Sequence, residues 1–286
     1  MIDVKKPTTY EQQLSLLKNR GCIIHDDNAC LDMLNRIGYY RLSAYFLPFK
    51  TSEDTYTTGL EFTKICNIYE FDRELRGVIL SALEEIEIYL RSQISYYHTN
   101  KYGSLGYTVS SNYCDRHDHD KFTETYKREI KNHSTVAFVN HHNKKYEGQF
   151  PLWVLMELFS FGMISKFYND LSTQDRKAIA RTIGVNYKAL SSWLRCCTDL
   201  RNICAHYGRL YLRVFPAIPS GINVDDYSKR HLWSVMLVLQ TLYPSKEKWN
   251  SIILDRLKDI FDKYNNDVNL KHIAFPENWV EILIRK

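Results

Sequence analysis

The chain has 286 residues, 44% of them hydrophobic and 25% charged, with a formal net charge of +5. That composition is globular and excludes an extended disordered chain. No run approaches the roughly 18 apolar residues of a membrane span, and the seven cysteines lack the spacing of a disulfide framework. A cytoplasmic protein with reduced thiols is therefore expected, and M-I-D-V-K-K-P-T-T-Y at the start lacks the apolar core of a signal peptide.

In chain order, the periodicity predicts helices almost throughout. Tyr10 to Lys18 reads as a helix stopped at Asn19-Arg20-Gly21. Asp26-Asp27-Asn28 can cap a second helix, which ends near Gly38. The stretch Tyr39 to Phe49 leads to Pro48 and a polar loop, T-S-E-D-T. From Glu61 to Tyr97 the apolar residues Ile65, Ile68, Leu75, Val78, Ile79, Ala82, Leu83, Ile86, Leu90 and Ile94 recur three and four apart, which predicts a long helix. Glu87 and Arg91, four apart on it, are placed to pair. A polar, histidine-rich region reads as loop. A helix is expected to open at Pro151 and run on through W-V-L-M-E-L-F-S-F-G-M-I-S-K-F-Y, followed by Asp175 to Ile183 and Tyr187 to Tyr211. After Pro216, Pro219 and Gly221 come Tyr227 to Tyr243, Lys246 to Tyr264 and a short helix past Pro276. No segment reads as sheet, so the fold class is all-α.

Two clusters raise the question of chemistry. Cys114, His117 and His119, with His133, His141 and His142 downstream, are zinc-ligand types. The surrounding S-S-N-Y-C-D-R-H-D-H-D-K is polar as a solvated loop is, and no C-x2-C pair supports a site, so neither metal nor cofactor is expected. The second cluster is L-R-N-I-C-A-H-Y-G-R-L-Y, residues 200–211. Arg-x4-6-His occurs at Arg20/His25, Arg91/His98, Arg128/His133 and Arg201/His206, so the bare pattern carries little weight. On a wheel of about 100° per residue, residues 190–211 divide into two arcs. Leu190, Trp193, Cys197, Leu200, Ile203, Cys204, Tyr207, Leu210 and Tyr211 form an apolar arc. Arg195, Thr198, Asp199, Asn202, His206 and Arg209 lie opposite, with Arg201 at the flank. Such a polar face is also what any amphipathic helix presents to water. The basic balance and the 21 tyrosines suit an RNA partner through phosphate contacts and base stacking, and equally suit an aromatic core.

Four stretches carry a resemblance: G-Y-Y-R-L-S-A-Y-F-L-P-F (38–49), Y-E-F-D-R-E-L-R with I-E-I-Y-L-R (69–91), P-L-W-V-L-M-E-L-F-S-F-G-M-I-S (151–165) and S-W-L-R-C-C-T-D-L-R-N-I-C-A-H-Y-G-R-L-Y (192–211). Over residues 10 to 215 the chain resembles the Abi-like family of bacterial abortive-infection proteins (the AbiD/AbiF type) within the HEPN superfamily. The resemblance implies a HEPN-type helical bundle at 59–215, flanked by a helical N-terminal extension (1–58) and a helical C-terminal extension (216–286). It implies a metal-independent endoribonuclease toxin of phage defence, with Arg201, Asn202 and His206 as catalytic residues. In that chemistry the 2′-hydroxyl attacks the adjacent phosphate and leaves a 2′,3′-cyclic phosphate. Since one chain holds a single such set, a homodimer with a composite cleft is implied, restrained by an antitoxin protein, a regulatory small RNA or a conformational lock. RNA contacts are expected from Tyr39, Tyr40, Arg41, Arg195 and Arg209, with no DNA and no membrane as partner. A non-catalytic RNA-binding HEPN protein and a protein-binding helical scaffold are the alternatives. For Tyr39, Tyr40 and Arg41 the structural alternative is a turn packing the N-terminal helices onto the bundle. Cys204 and Gly208 have no role assignable from sequence.

Overall fold

The computed structural model describes residues 6–51 and 54–286; part of the predicted T-S-E-D-T loop lies outside them. The α-helical segments follow in order: α1 (Tyr10–Asn19), α2 (Asp27–Ile37), α3 (Tyr39–Phe46), α4 (Phe62–Tyr102), α5 (His119–Asn132), α6 (Ala137–Lys145), α7 (Leu152–Leu155), α8 (Phe161–Asp170), α9 (Thr173–Ile183), α10 (Tyr187–Ala205), α11 (Leu232–Leu242), α12 (Lys246–Lys248), α13 (Asp255–Lys263) and α14 (Trp279–Leu283). Among the described residues only isolated β-bridges occur. The protein is all-α.

The spine is α4. Its 41 residues extend for about 61 Å. Every apolar residue of the predicted stripe, Ile65 through Ile94, is buried along it. Packed against this one rod are α3, α7, α8, α9, α10, α11 and α13. Main-chain bonds from Ile23 N to Leu60 O (2.8 Å) and Phe62 N to Ile23 O (2.9 Å) fasten the α1–α2 connection to its start. The last 70 residues join it through Glu74, which accepts from Lys263 Nζ (2.8 Å) and Tyr264 Oη (2.9 Å), and through Asn67, which donates to Asp267 (2.7 Å).

The helix ends follow local chemistry. Thr9 and Gln12 form a reciprocal capping box on α1, and Asp26 accepts from Ala29 N to cap α2 as expected. The helix expected from Tyr227 begins only at Leu232, after an extended His231, and three further predicted elements differ. The helix expected to run on from Pro151 is interrupted: Phe159 is extended and Ser160 Oγ accepts from Met163 N, starting α8 afresh. Phe159 O is not orphaned by the break, because Arg91 donates to it at 3.1 Å. The histidine-rich loop contains α5 and α6; Asp118 caps α5, and Phe122 and Tyr126, four apart, supply its buried face. The third difference, the end of α10, bears on the site.

Candidate functional site

The predicted helix Tyr187–Tyr211 stops at Ala205. His206 is the cap residue, and Tyr207 turns left-handed at φ 58°. Tyr207 N donates to Cys204 O (3.1 Å) and Gly208 N to Ile203 O (2.7 Å), the paired bonds of a Schellman ending. A tyrosine at the left-handed position costs about 1–2 kcal/mol that a glycine would avoid. Gly208 is required for another reason: a Cβ there would meet Ile203 Cγ2 at 2.9 Å and Ile203 O at 3.0 Å. The ending lifts Tyr207 out of the predicted apolar arc, leaving it 69% exposed, while Cys204, Leu210 and Tyr211 stay buried.

His206 and Asn202 are exposed on one side of this terminus, joined through the main chain by His206 N to Asn202 O at 3.0 Å. The His206 imidazole has no hydrogen-bond partner among the described residues, so both ring nitrogens are free for a substrate. Arg201 is half-buried and leans toward α4, where it lines a cleft of about 390 Å³ with Leu80, Leu83, Glu84, Glu87, Ile88 and Arg91. Its guanidinium also reaches Asn202 Oδ1 at 3.4 Å. Glu87 accepts from Arg91 at 3.0 Å. Burial pushes the Glu87 carboxyl above its ordinary range, and the charges of Arg91 and Arg201 oppose that.

The segment beyond His206 is held by its main chain. Asp72, wholly buried on α4, accepts from Leu210 N (3.0 Å), Tyr211 N (2.9 Å), Tyr45 Oη (2.8 Å) and Arg76 Nη1 (2.5 Å). Burial raises the Asp72 carboxyl; the Arg76 charge and the hydrogen-bond donors work against it. Arg76 also touches Gly208 O at 3.4 Å, and Arg41 donates to Tyr207 O at 2.8 Å. Arg209 donates in turn to Ala44 O and lies over the Tyr45 ring, 5.9 Å from its centre. From behind, Tyr211 Oη meets His272 Nδ1 (2.6 Å) and Asn269 N (3.1 Å), so the C-terminal extension braces the same segment.

Of the residues expected to contact RNA, Arg41 lies one residue from His206 through its bond to Tyr207. Tyr40 is 91% exposed beside it in sequence, whereas Tyr39 is half-buried and accepts from Arg20 Nη1 at 3.0 Å. Arg209 is turned inward. Arg195 is exposed farther back on α10 and lines a different groove with Lys166 and Lys188. The other Arg-x4-6-His pairs are put to structural use. Arg20 pairs with Asp54; Arg91 with Glu87, while His98 is fully buried; His133 caps α5. In the cysteine–histidine cluster, His117 bonds Asp170 (3.1 Å) and His119 (3.2 Å), and His119 bonds Thr108 O (3.0 Å). No metal-binding group of three or more ligand types occurs among the described residues.

The sequence reading missed Asp72, Tyr45 and Arg76. Their signal was an aspartate between Phe71 and Leu75, inside the apolar stripe of α4, with an arginine four residues on.

The fold and site define an all-α protein that presents Arg201, Asn202 and His206 at a helix end fixed from two sides. The family model described as Abi-like protein matches residues 32–212, which include all four of the resembling stretches. The chain belongs to the Abi-like family, and that membership points to abortive infection as its setting. No curated protein and no solved structure matches the chain. No helix among the described residues is long and apolar enough to cross a membrane.

Proposed function

We propose that this protein is a metal-independent endoribonuclease of HEPN type, acting as a toxin in phage defence. What supports the reading most is that Asn202 and His206 are exposed at one helix end, with the half-buried Arg201 reaching Asn202, and that the main chain just beyond is anchored in the core. Anchoring of this kind holds catalytic groups in place before substrate arrives.

The reaction is transesterification. The ribose 2′-oxygen forms a bond to phosphorus, the bond from phosphorus to the 5′-oxygen breaks, and a 2′,3′-cyclic phosphate remains. One proton leaves the 2′-hydroxyl and another is delivered to the departing 5′-oxygen. An imidazole performs either transfer near neutral pH. Arg201 offers a permanently charged fork to the phosphorane oxygens, and Asn202 orients that fork or bonds the substrate. Two proton transfers call for two groups, and each chain offers one His206. A homodimer with paired motifs across its two-fold axis supplies both.

The test is RNA cleavage by purified protein in excess EDTA, with identification of the product ends. We expect cleavage to persist and to leave 2′,3′-cyclic phosphate or 3′-phosphate. Folded His206→Ala protein that cuts at the wild-type rate would remove the assignment; RNA binding without cleavage by wild type would favour the non-catalytic alternative.

A further inference from the structure

A groove of about 690 Å³ lies between α8 and α10, away from the Arg201 cleft. Lys166, Lys188 and Arg195 stand exposed on its walls, and no aspartate or glutamate lines it. Its lining is mixed: Asn169, Ser191 and Thr198 are half-buried polar groups, and Pro216, Ala217 and Ile218 form an apolar edge. None of the three cations enters an ion pair among the described residues.

Lys188 also sits at a helix start. It occupies the first turn of α10, which has no acidic residue, although a cation at that end opposes the helix dipole. Three uncompensated positive charges around one concavity, one of them badly placed for stability, suit an anion that comes and goes. The hydroxyl and amide groups beside the cations can bond phosphate oxygens.

Placement decides which anion. Lys188, Ser191, Arg195, Thr198 and Asn202 follow one another three and four apart along a single face of α10. The stripe covers about 21 Å of helix axis and ends one turn short of His206. An extended polyanion laid along it is delivered to Asn202, which a compact anion or a folded acidic protein surface would not need. We infer that this groove is a sequence-independent track for the phosphate backbone of single-stranded RNA, guiding the strand to His206. The inference rests on RNA being the substrate of the proposed site, but it concerns binding rather than cleavage.

Binding of a fluorescein-labelled single-stranded RNA to His206→Ala protein, measured over a range of salt, keeps the two readings apart. Replacing Lys166, Lys188 and Arg195 together by glutamine should weaken binding and reduce the slope of log affinity against log salt by about 2, at roughly 0.7 for each phosphate no longer neutralised. Lys144→Gln with Lys145→Gln, exposed cations on α6, should leave that slope unchanged. Helical circular dichroism should be the same for all. The track is overturned if the triple variant keeps the wild-type slope, if the α6 pair lowers it equally, or if the protein binds polyglutamate and not RNA. A wild-type protein that fails to cut RNA, with the slope still falling in the triple variant, would remove the ribonuclease reading and leave the track standing.

Discussion

Arg41 donates to the main-chain carbonyl of Tyr207 at 2.8 Å, across 166 residues of sequence. The carbonyl belongs to the left-handed residue beside His206, so α3 helps fix the end of α10. Arg41→Ala should lower stability by about 1 kcal/mol, the net worth of such a bond, and should reduce cleavage by loosening His206. Thermal melts and RNA cleavage rates measure both effects. An unchanged melting temperature would show that the bond contributes nothing, and a fall of about 0.7 in the salt slope would add a phosphate contact to the role of Arg41.

Removing Asp72 should be far more costly. Asp72→Ala leaves Arg76 charged and buried and strips Leu210 N and Tyr211 N of their acceptor, a change worth about 3–5 kcal/mol. Denaturant unfolding should show it directly. Double replacement of Asp72 and Arg76 by apolar residues should recover part of the loss; a double variant as unstable as Asp72→Ala would mean that the main-chain bonds matter and the ion pair does not.

Much of this was legible in advance because helical periodicity is local. The stripe on α4, the stop of α1 at Asn19-Arg20-Gly21 and the cap of α2 depend on residues within a few positions of one another. The end of α10 was not legible. Residues 205–211 continue the apolar spacing of a helix, and only Gly208 marks the stop. What turns the chain there is Asp72, far earlier in the sequence, claiming N–H groups that a further turn of helix would have used internally. The catalytic candidates were readable as a pattern; the anchor behind them is a tertiary fact. The break at Phe159 is of the same kind, since Arg91 takes the carbonyl there.

The paired-site reading predicts a dominant effect in mixtures. Arg201→Ala chains mixed with wild type should depress cleavage below simple dilution, because mixed dimers carry one damaged set. Light scattering should show a dimer at the concentrations of the assay. A fully active monomer would place both proton transfers within one chain.

His98 gives a stability prediction with a defined sign. It is fully buried against Tyr102 and Phe167, and neither ring nitrogen has a partner among the described residues. Burial lowers its pKa to about 4. The unfolded chain, with an ordinary histidine near 6.5, therefore takes up the proton first as pH falls. The contribution of neutral His98 is complete above about pH 6.5 and is lost as pH drops toward 4, a change of about 3 kcal/mol. His98→Phe should flatten that limb of the stability–pH curve and cost little at pH 7, since it also removes an unsatisfied polar group. Parallel curves for variant and wild type between pH 7 and 4 would contradict the assignment.

Part of the grip on the segment from Tyr207 to Tyr211 is through its backbone: Arg41 and Arg76 take the carbonyls of Tyr207 and Gly208, and Asp72 takes the N–H groups of Leu210 and Tyr211, while the side chains of Arg209 and Tyr211 add bonds of their own. Every amino acid supplies the carbonyl, and all but proline supply the N–H. At Tyr207 the grip is thus indifferent to the side chain. Tyr207, exposed and bonded only through its main chain, can drift among related chains, or be chosen afresh against a different target, without His206 losing its footing. Proline is barred at 210 and 211, where the side chains are also buried, and only a residue without a Cβ fits at 208.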